Sequence, residues 1–186
     1  MFTEQLVVWL LDRHFDLGVI QSSIHDWWSR KYASTLKTDV RYLPPDCFET
    51  FPRPAFDAAV EVAGRALDER RGSMMVHNDE GLTKTYNRLH NPDDDSLAIS
   101  ELRELHVALD LAVRNAYGWS DLGLGHGFHD TPQGRRFTLS PVSRTEVIDR
   151  LLELNHERYA EEVAAGLHAK QVVTMRQRPT VGEHLF

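Results

Sequence analysis

The stretch LAISELRELHVALDLAVRNAYG, residues 97–118, carries its apolar side chains at helical spacing. Leu102, Leu105, Leu109, Ala112 or Val113, and Ala116 recur every three or four positions, so they share one face of a helix that Gly118 closes. The spacing is close to a heptad, and such a stripe buries itself against another helix. A chain organised around this segment needs helical neighbours, and the sequence supplies them on both sides.

Upstream, Phe56, Val60, Ala63 and Leu67 follow Pro54 at helical spacing and predict a helix to about Arg71, where Gly72 ends or bends it. GLTKTYNRLH (81–90) reads as a shorter helix stopped by NPDDDS (91–96), whose three aspartates suit the positive end of the next helix. Downstream, residues 118–141 form a glycine-punctuated connection in which RRFTLS (135–140) is a short strand candidate. Ser143 and Glu146 then have capping-box spacing and open a helix to about Ala165. Val147, Ile148, Leu151, Leu152, Tyr159 and Val163 are its stripe, and Gly166 is its stop. The polar tail from Ala169 is expected to be loose.

The front has another character. FTEQLVVWL is rich in β-branched and aromatic residues and predicts a strand over 5–11. Asp16 can cap a helix bearing Ile20, Ile24, Trp27 or Trp28, and Tyr32. TDVRYL (38–43) is a short strand, Pro44 and Pro45 end its pairing, and DCFETF (46–51) is a further extended piece. The expected fold is α+β and predominantly α-helical, a small α/β N-terminal piece followed by antiparallel helices. Its divisions are 1–53, 54–168 and a loose tail at 169–186.

With 186 residues, 41% hydrophobic and 26% charged, the chain has the composition of a globular domain. No apolar run approaches the roughly 20 residues of a membrane span, and the start lacks a signal-peptide pattern, so a cytoplasmic protein is expected. One cysteine, Cys47, excludes an internal disulfide and a cysteine-based zinc site within one chain. The net charge of -7 argues against broad nonspecific nucleic-acid affinity. Residues 1–53 nevertheless hold six Lys/Arg against seven Asp/Glu, whereas 54–186 hold fifteen against twenty-one, so most of the excess acidity lies outside the opening segment.

Within that segment Arg30, Lys31, Lys37 and Arg41, with Tyr42, straddle a helix-to-strand transition followed at once by prolines. Irregular backbone on a rigid support can hold such side chains against DNA phosphates or a guanine edge. The same residues also read as a solvated surface loop, and their chemistry alone leaves both readings open. Other motifs are weaker. GLGHG (123–127) lacks the lysine and hydroxyl residue of a phosphate loop and reads as a connector. His126 and His129 could ligate a metal but have no helical frame or third ligand nearby. In NHERYAEE, Ala160 stands where a metalloprotease helix needs its second histidine. Cys47 reads as a small buried apolar residue, and the helical spacing of Trp27 and Trp28 sends at least one into the core rather than onto bases. No residue set forms a catalytic constellation.

Six segments in one order carry a resemblance: IQSSIHDWW (20–28), YASTLKTDVRYLPPDCFETFPRP (32–54), EGLTKTYNRLHNPDD (80–94), LRELHVALDLAVRNAYGW (102–119), LGHGFHDTPQGRRFTLS (124–140) and LLELNHERYAEEVAAGLH (151–168). Together they resemble the C-terminal part of large bacterial adenine-specific DNA methyltransferases of restriction–modification and phage-defence systems, including the fused type IIG enzymes, over nearly all of 2–168. The family's S-adenosylmethionine motif, its Asn-Pro-Pro-aromatic motif and a nuclease core have no counterpart here, since NPDD at Asn91 lacks the second proline and the aromatic. No catalytic residue is carried over, and no cofactor is expected in this chain, S-adenosylmethionine being implied for the full-length enzyme. The resemblance implies that the segment ending in DCFETFP closes a target-recognition domain. Double-stranded DNA is then the partner, with Arg30, Lys31, Lys37, Arg41 and Tyr42 as the contacting residues. It also implies a truncated, split or separately encoded piece, whose uncovered edge at LVVWLL would pair with a second copy or with the missing methyltransferase portion in trans. The rival readings are a helical docking module using residues 97–117, and a metal-dependent enzyme built on HGFHD (126–130).

Overall fold

Ser22 divides what the spacing suggested was one helix. Its hydroxyl donates to the Val19 carbonyl at 2.7 Å and accepts from the His25 amide at 3.3 Å, closing one helix and capping the next. In a computed structural model, which describes residues 10–36 and 39–167, the segment is therefore two helices, α1 (His14–Gln21) and α2 (Ser23–Tyr32). Asp16 is not the cap. It lies in the first turn of α1, buried, 3.0 Å from Arg13 and 3.7 Å from Arg53.

The short strand expected over 38–43 is present as β2 (Asp39–Arg41), antiparallel to β1 (Ser34–Leu36). DCFETF is not extended. Pro44 and Pro45 preset helical φ for a single turn, α3 (Pro44–Cys47), and the amides of Cys47 and Phe48 bond back to the Leu43 and Pro44 carbonyls. The helix expected to end or bend at Gly72 runs on as α4 (Ala58–Asn78), capped by Asp57 and ended by Asp79 in the left-handed region. One glycine costs a helix only about 1 kcal/mol, less than the burial of Leu67 and Met74 on either side of it contributes.

Next come α5 (Leu82–Leu89) and α6 (Leu97–Ala116). The long connection then folds into a hairpin, β3 (Gly127–Thr131) and β4 (Gly134–Thr138), of which only the second strand was anticipated. Pro132 and Gln133 form its two-residue loop, and Gly134 takes the positive φ of 96° that the turn demands. Ser140, not Ser143, caps α7 (Pro141–Ala164) by accepting from the Ser143 amide. Ser143 faces inward instead and donates to the Gly123 carbonyl at 2.8 Å.

Leu102, Leu109 and Val113 of α6 are fully buried, and α6 packs on α4 and α1. Ile24 and Trp28 of α2 and Val147 and Leu151 of α7 join the same core. The stripe of α6 is therefore covered within the chain rather than offered to a partner. On α7 the expected stripe holds for its first half only, since Tyr159 and Val163 are exposed. The architecture is α+β with helices predominant. The strand expected over 5–11 lies outside the described residues except for Leu10 and Leu11, which belong to no strand, and the tail from Ala169 also lies outside them. No described helix is long and apolar enough to cross a membrane.

Candidate nucleic-acid interface

The five cationic and aromatic residues singled out in the sequence do not form one group. Lys37 lies outside the described residues. Lys31 and Arg41 are exposed, with no ion pair to any described residue. Arg30 is half-buried, its Nε bonded to Asp26 at 2.7 Å and its guanidinium 5.9 Å from the Trp27 ring. Tyr42 turns inward: its hydroxyl is 3.0 Å from Nε2 of His25, and burial pushes the phenol up to about 12.

Arg30 and Tyr42 instead border a cleft of about 770 Å³ between α2, α5, α6 and the β3–β4 hairpin. Four histidines line it: His25, His90, His106 and His126. Burial pushes His25 down to about 4 and His106 down as well; His90 also falls to about 4, through burial first and then the positive charge of Arg136. These three imidazoles are neutral at pH 7, and His25 and His106 act as hydrogen-bonding groups.

A polar network holds the walls. Fully buried Asp110 of α6 accepts from the Ser23 amide, at the positive end of α2, at 2.7 Å, and its other oxygen meets His126 Nε2 at 2.8 Å. One turn earlier on α6, His106 Nε2 meets the Tyr86 hydroxyl at 3.1 Å. Arg71 donates to that hydroxyl and to Gln21, joining α4 to α5 and α1. The hairpin is anchored to α2 by Trp27, whose indole donates to Thr138 at 3.1 Å and carries the Arg144 guanidinium 4.5 Å from its ring.

His126 and His129 part company, the first bonding Asp110 and the second the Gly125 carbonyl at 2.9 Å. Among the described residues no group of three or more His, Cys, Asp or Glu converges as a metal site. Cys47 is fully buried, donates to the Ser29 carbonyl, and burial raises its thiol above the ordinary value, so it is not poised as a nucleophile. Trp28 belongs to the core, and Trp27 is the half-buried indole just described. Sequence reasoning passed over Asp110 and Arg136. A legible sign of the first was a carboxylate beside the buried stripe at Leu109 and Val113; Arg136 became visible only once its strand was placed.

No protein-family model matches this sequence. Over 103 residues it is 33% identical to DNA methyltransferase A of Bacillus subtilis (strain 168), a match covering 54% of this chain and 11% of that protein. In fold it is similar to MmeI, a type IIL restriction–modification enzyme solved in complex with DNA, with a TM-score of 0.59 and 22% identity over 80% of this chain and 17% of that one. This chain is similar to a region of a DNA methyltransferase and shares its fold with part of a restriction–modification enzyme. The methyltransferase-related region spans about a ninth of the bacterial enzyme and a sixth of MmeI. At that level of identity the likeness to MmeI establishes a shared fold.

Proposed function

We propose that this chain is a non-catalytic DNA-contacting module of an adenine-specific restriction–modification methyltransferase, working in the cytoplasm beside a catalytic portion that binds S-adenosylmethionine. The observation that carries the reading is the shared fold with MmeI, which was solved on DNA, across 80% of this chain. The exposed cations Lys31 and Arg41, on a front segment that carries little of the excess acidity, support it. With a net charge of -7, affinity rests on a few phosphate contacts, and the isolated chain binds weakly. The catalytic portion acts in cis or in trans.

The test is duplex-DNA binding by the purified chain at about 50 and 200 mM salt, beside a Lys31→Ala/Lys37→Ala/Arg41→Ala variant. Binding should weaken by about tenfold or more over that range, and the variant should show both lower affinity and a shallower salt slope. A folded chain that binds no duplex at low salt overturns the reading. A protein-docking role has one specific observation in its favour: Tyr159, Val163 and Leu167, on and just beyond the far half of α7, are 57%, 50% and 66% exposed.

A further inference from the structure

The β3–β4 hairpin presents two neighbouring arginines in different environments. Arg135 is exposed and does not border the cleft, whereas Arg136 is half-buried and lines it. Successive side chains on a strand point to opposite faces, so Arg136 shares its face with Thr138, the residue held against α2 by Trp27. Among the described residues, every other partly buried arginine has hydrogen-bonding partners. Arg71 has Gln21, Tyr86 and Asp68; Arg88 has Glu80 and Asp94; Arg150 has Asp121 and Glu146. Arg136 makes no hydrogen bond or ion pair with any described residue. A guanidinium that lines a cleft with its donors unpaired leaves them free for an anion that enters there.

Three further features point the same way. Arg30 faces the same cleft from α2 and uses only its Nε on Asp26, leaving both terminal nitrogens for another acceptor. His90, on the α5 side, has a buried Nδ1 with no partner. The fixed charges acting on His90 are those of Arg136, Arg30 and Arg103, all of which disfavour its protonation, so its surroundings are positive although the chain as a whole is acidic. The opening has the volume of a small-ligand site.

We propose that this cleft binds a phosphate group, gripped by Arg136 of the hairpin and Arg30 of α2. The planar forks of two guanidiniums from different elements match a tetrahedral oxyanion, and the hairpin and α2 close on it as two jaws. The phosphate can be a phosphodiester of a DNA strand or free phosphate. For DNA as its source the proposal rests on the function proposed above; the grip itself does not.

The experiment titrates the full chain with inorganic phosphate and, separately, with a short DNA duplex, following the imidazole NMR signal of His90. It compares the wild type with Arg136→Ala, Arg136→Lys and Arg135→Ala, each checked for folding by its thermal melt. Phosphate bound in the cleft raises the pKa of His90. Arg136→Ala should weaken binding about tenfold or more, Arg136→Lys should recover part of it, and Arg135→Ala should change it less than about twofold. Arg136-dependent binding of duplex alone identifies the phosphodiester, and Arg136-dependent binding of inorganic phosphate identifies free phosphate. Duplex binding that survives Arg136→Ala, with no Arg136-dependent binding of inorganic phosphate, overturns the site and leaves the DNA role standing. Arg136-dependent phosphate binding without duplex binding keeps the site and removes the DNA role. Equal losses in Arg135→Ala and Arg136→Ala, or no response of His90 to either probe, overturn the site.

Discussion

Gly64 of α4 lies where the backbone of α1 crosses. A Cβ added there would fall well inside van der Waals contact of the His14 carbonyl oxygen and 3.2 Å from the Cα of Gly18. Both near atoms are backbone, so relief requires the two helices to separate. Gly64→Ala should therefore destabilise the fold by about 1–3 kcal/mol in urea denaturation, despite the better helix propensity of alanine. Gly72 of the same helix is the control, since nothing lies within 4 Å of its added Cβ. Gly72→Ala should leave stability unchanged or raise it by up to about 1 kcal/mol. Equal effects at the two positions would remove the close crossing as the explanation. Cys47 gives a second residue-level prediction, because its buried thiol is pushed upward. A thiol reagent at pH 7.5 should label it slowly in the native protein and at the free-thiol rate in denaturant; rapid native labelling would contradict its burial.

Between elements, Arg103 fixes the turn from α5 to α6. Its guanidinium donates to the carbonyls of Leu89, Asn91 and Asp94 and stands 4.9 Å from the Phe128 ring, so one side chain satisfies the end of a helix and touches the hairpin. Arg103→Ala leaves several carbonyls without a partner and should cost about 2–3 kcal/mol of stability, with faster amide exchange in residues 88–96. If exchange there does not change, the arginine is not what holds the turn. The acidic NPDDDS stretch is explained at this scale too. Asp94 meets Arg88 at 2.8 Å and accepts from Ser96, and the Arg88 hydrogen bond holds its carboxyl down at about 2, so this acid orders the connection.

For the molecule as a whole, the buried histidines set the pH response. His25 and His90 sit near 4 in the fold and take the ordinary value of about 6.5 when unfolded. A depressed histidine is stabilising while neutral, so stability is full above about 6.5 and falls as the pH drops toward 4, because the unfolded chain takes up protons that the native one refuses. For His25 alone the loss between pH 7 and pH 5 is about 2 kcal/mol. Urea titrations at those two pH values should show it, and His25→Gln should reduce the difference; a flat profile would mean that these imidazoles are not neutral in the fold. The cleft they line joins helices from the front of the chain to those behind, through Asp110 on the Ser23 amide and Arg71 on Gln21, so acid should loosen the body and the cleft together.

The sequence by itself determined the periodic features. The buried face of α6, the break at Asn91-Pro92, the extent of α5, the short strand before Pro44 and the stop at Gly166 all follow from spacing and from residues whose backbone preferences are strong. The likeness to restriction–modification methyltransferases was legible in the order of six segments. Tertiary structure alone decided the features whose partners are remote in sequence. Ser22 ends one helix and caps the next because Asp110, 87 residues beyond Ser23, receives the first amide of the second. The histidine-rich face became a cleft because the hairpin leans on Trp27, 111 residues before Thr138. Local patterning specifies which way a residue faces within its own element, but only packing decides what it faces. That is why the exposed cations were readable in the chain, whereas a half-buried arginine without a partner was not.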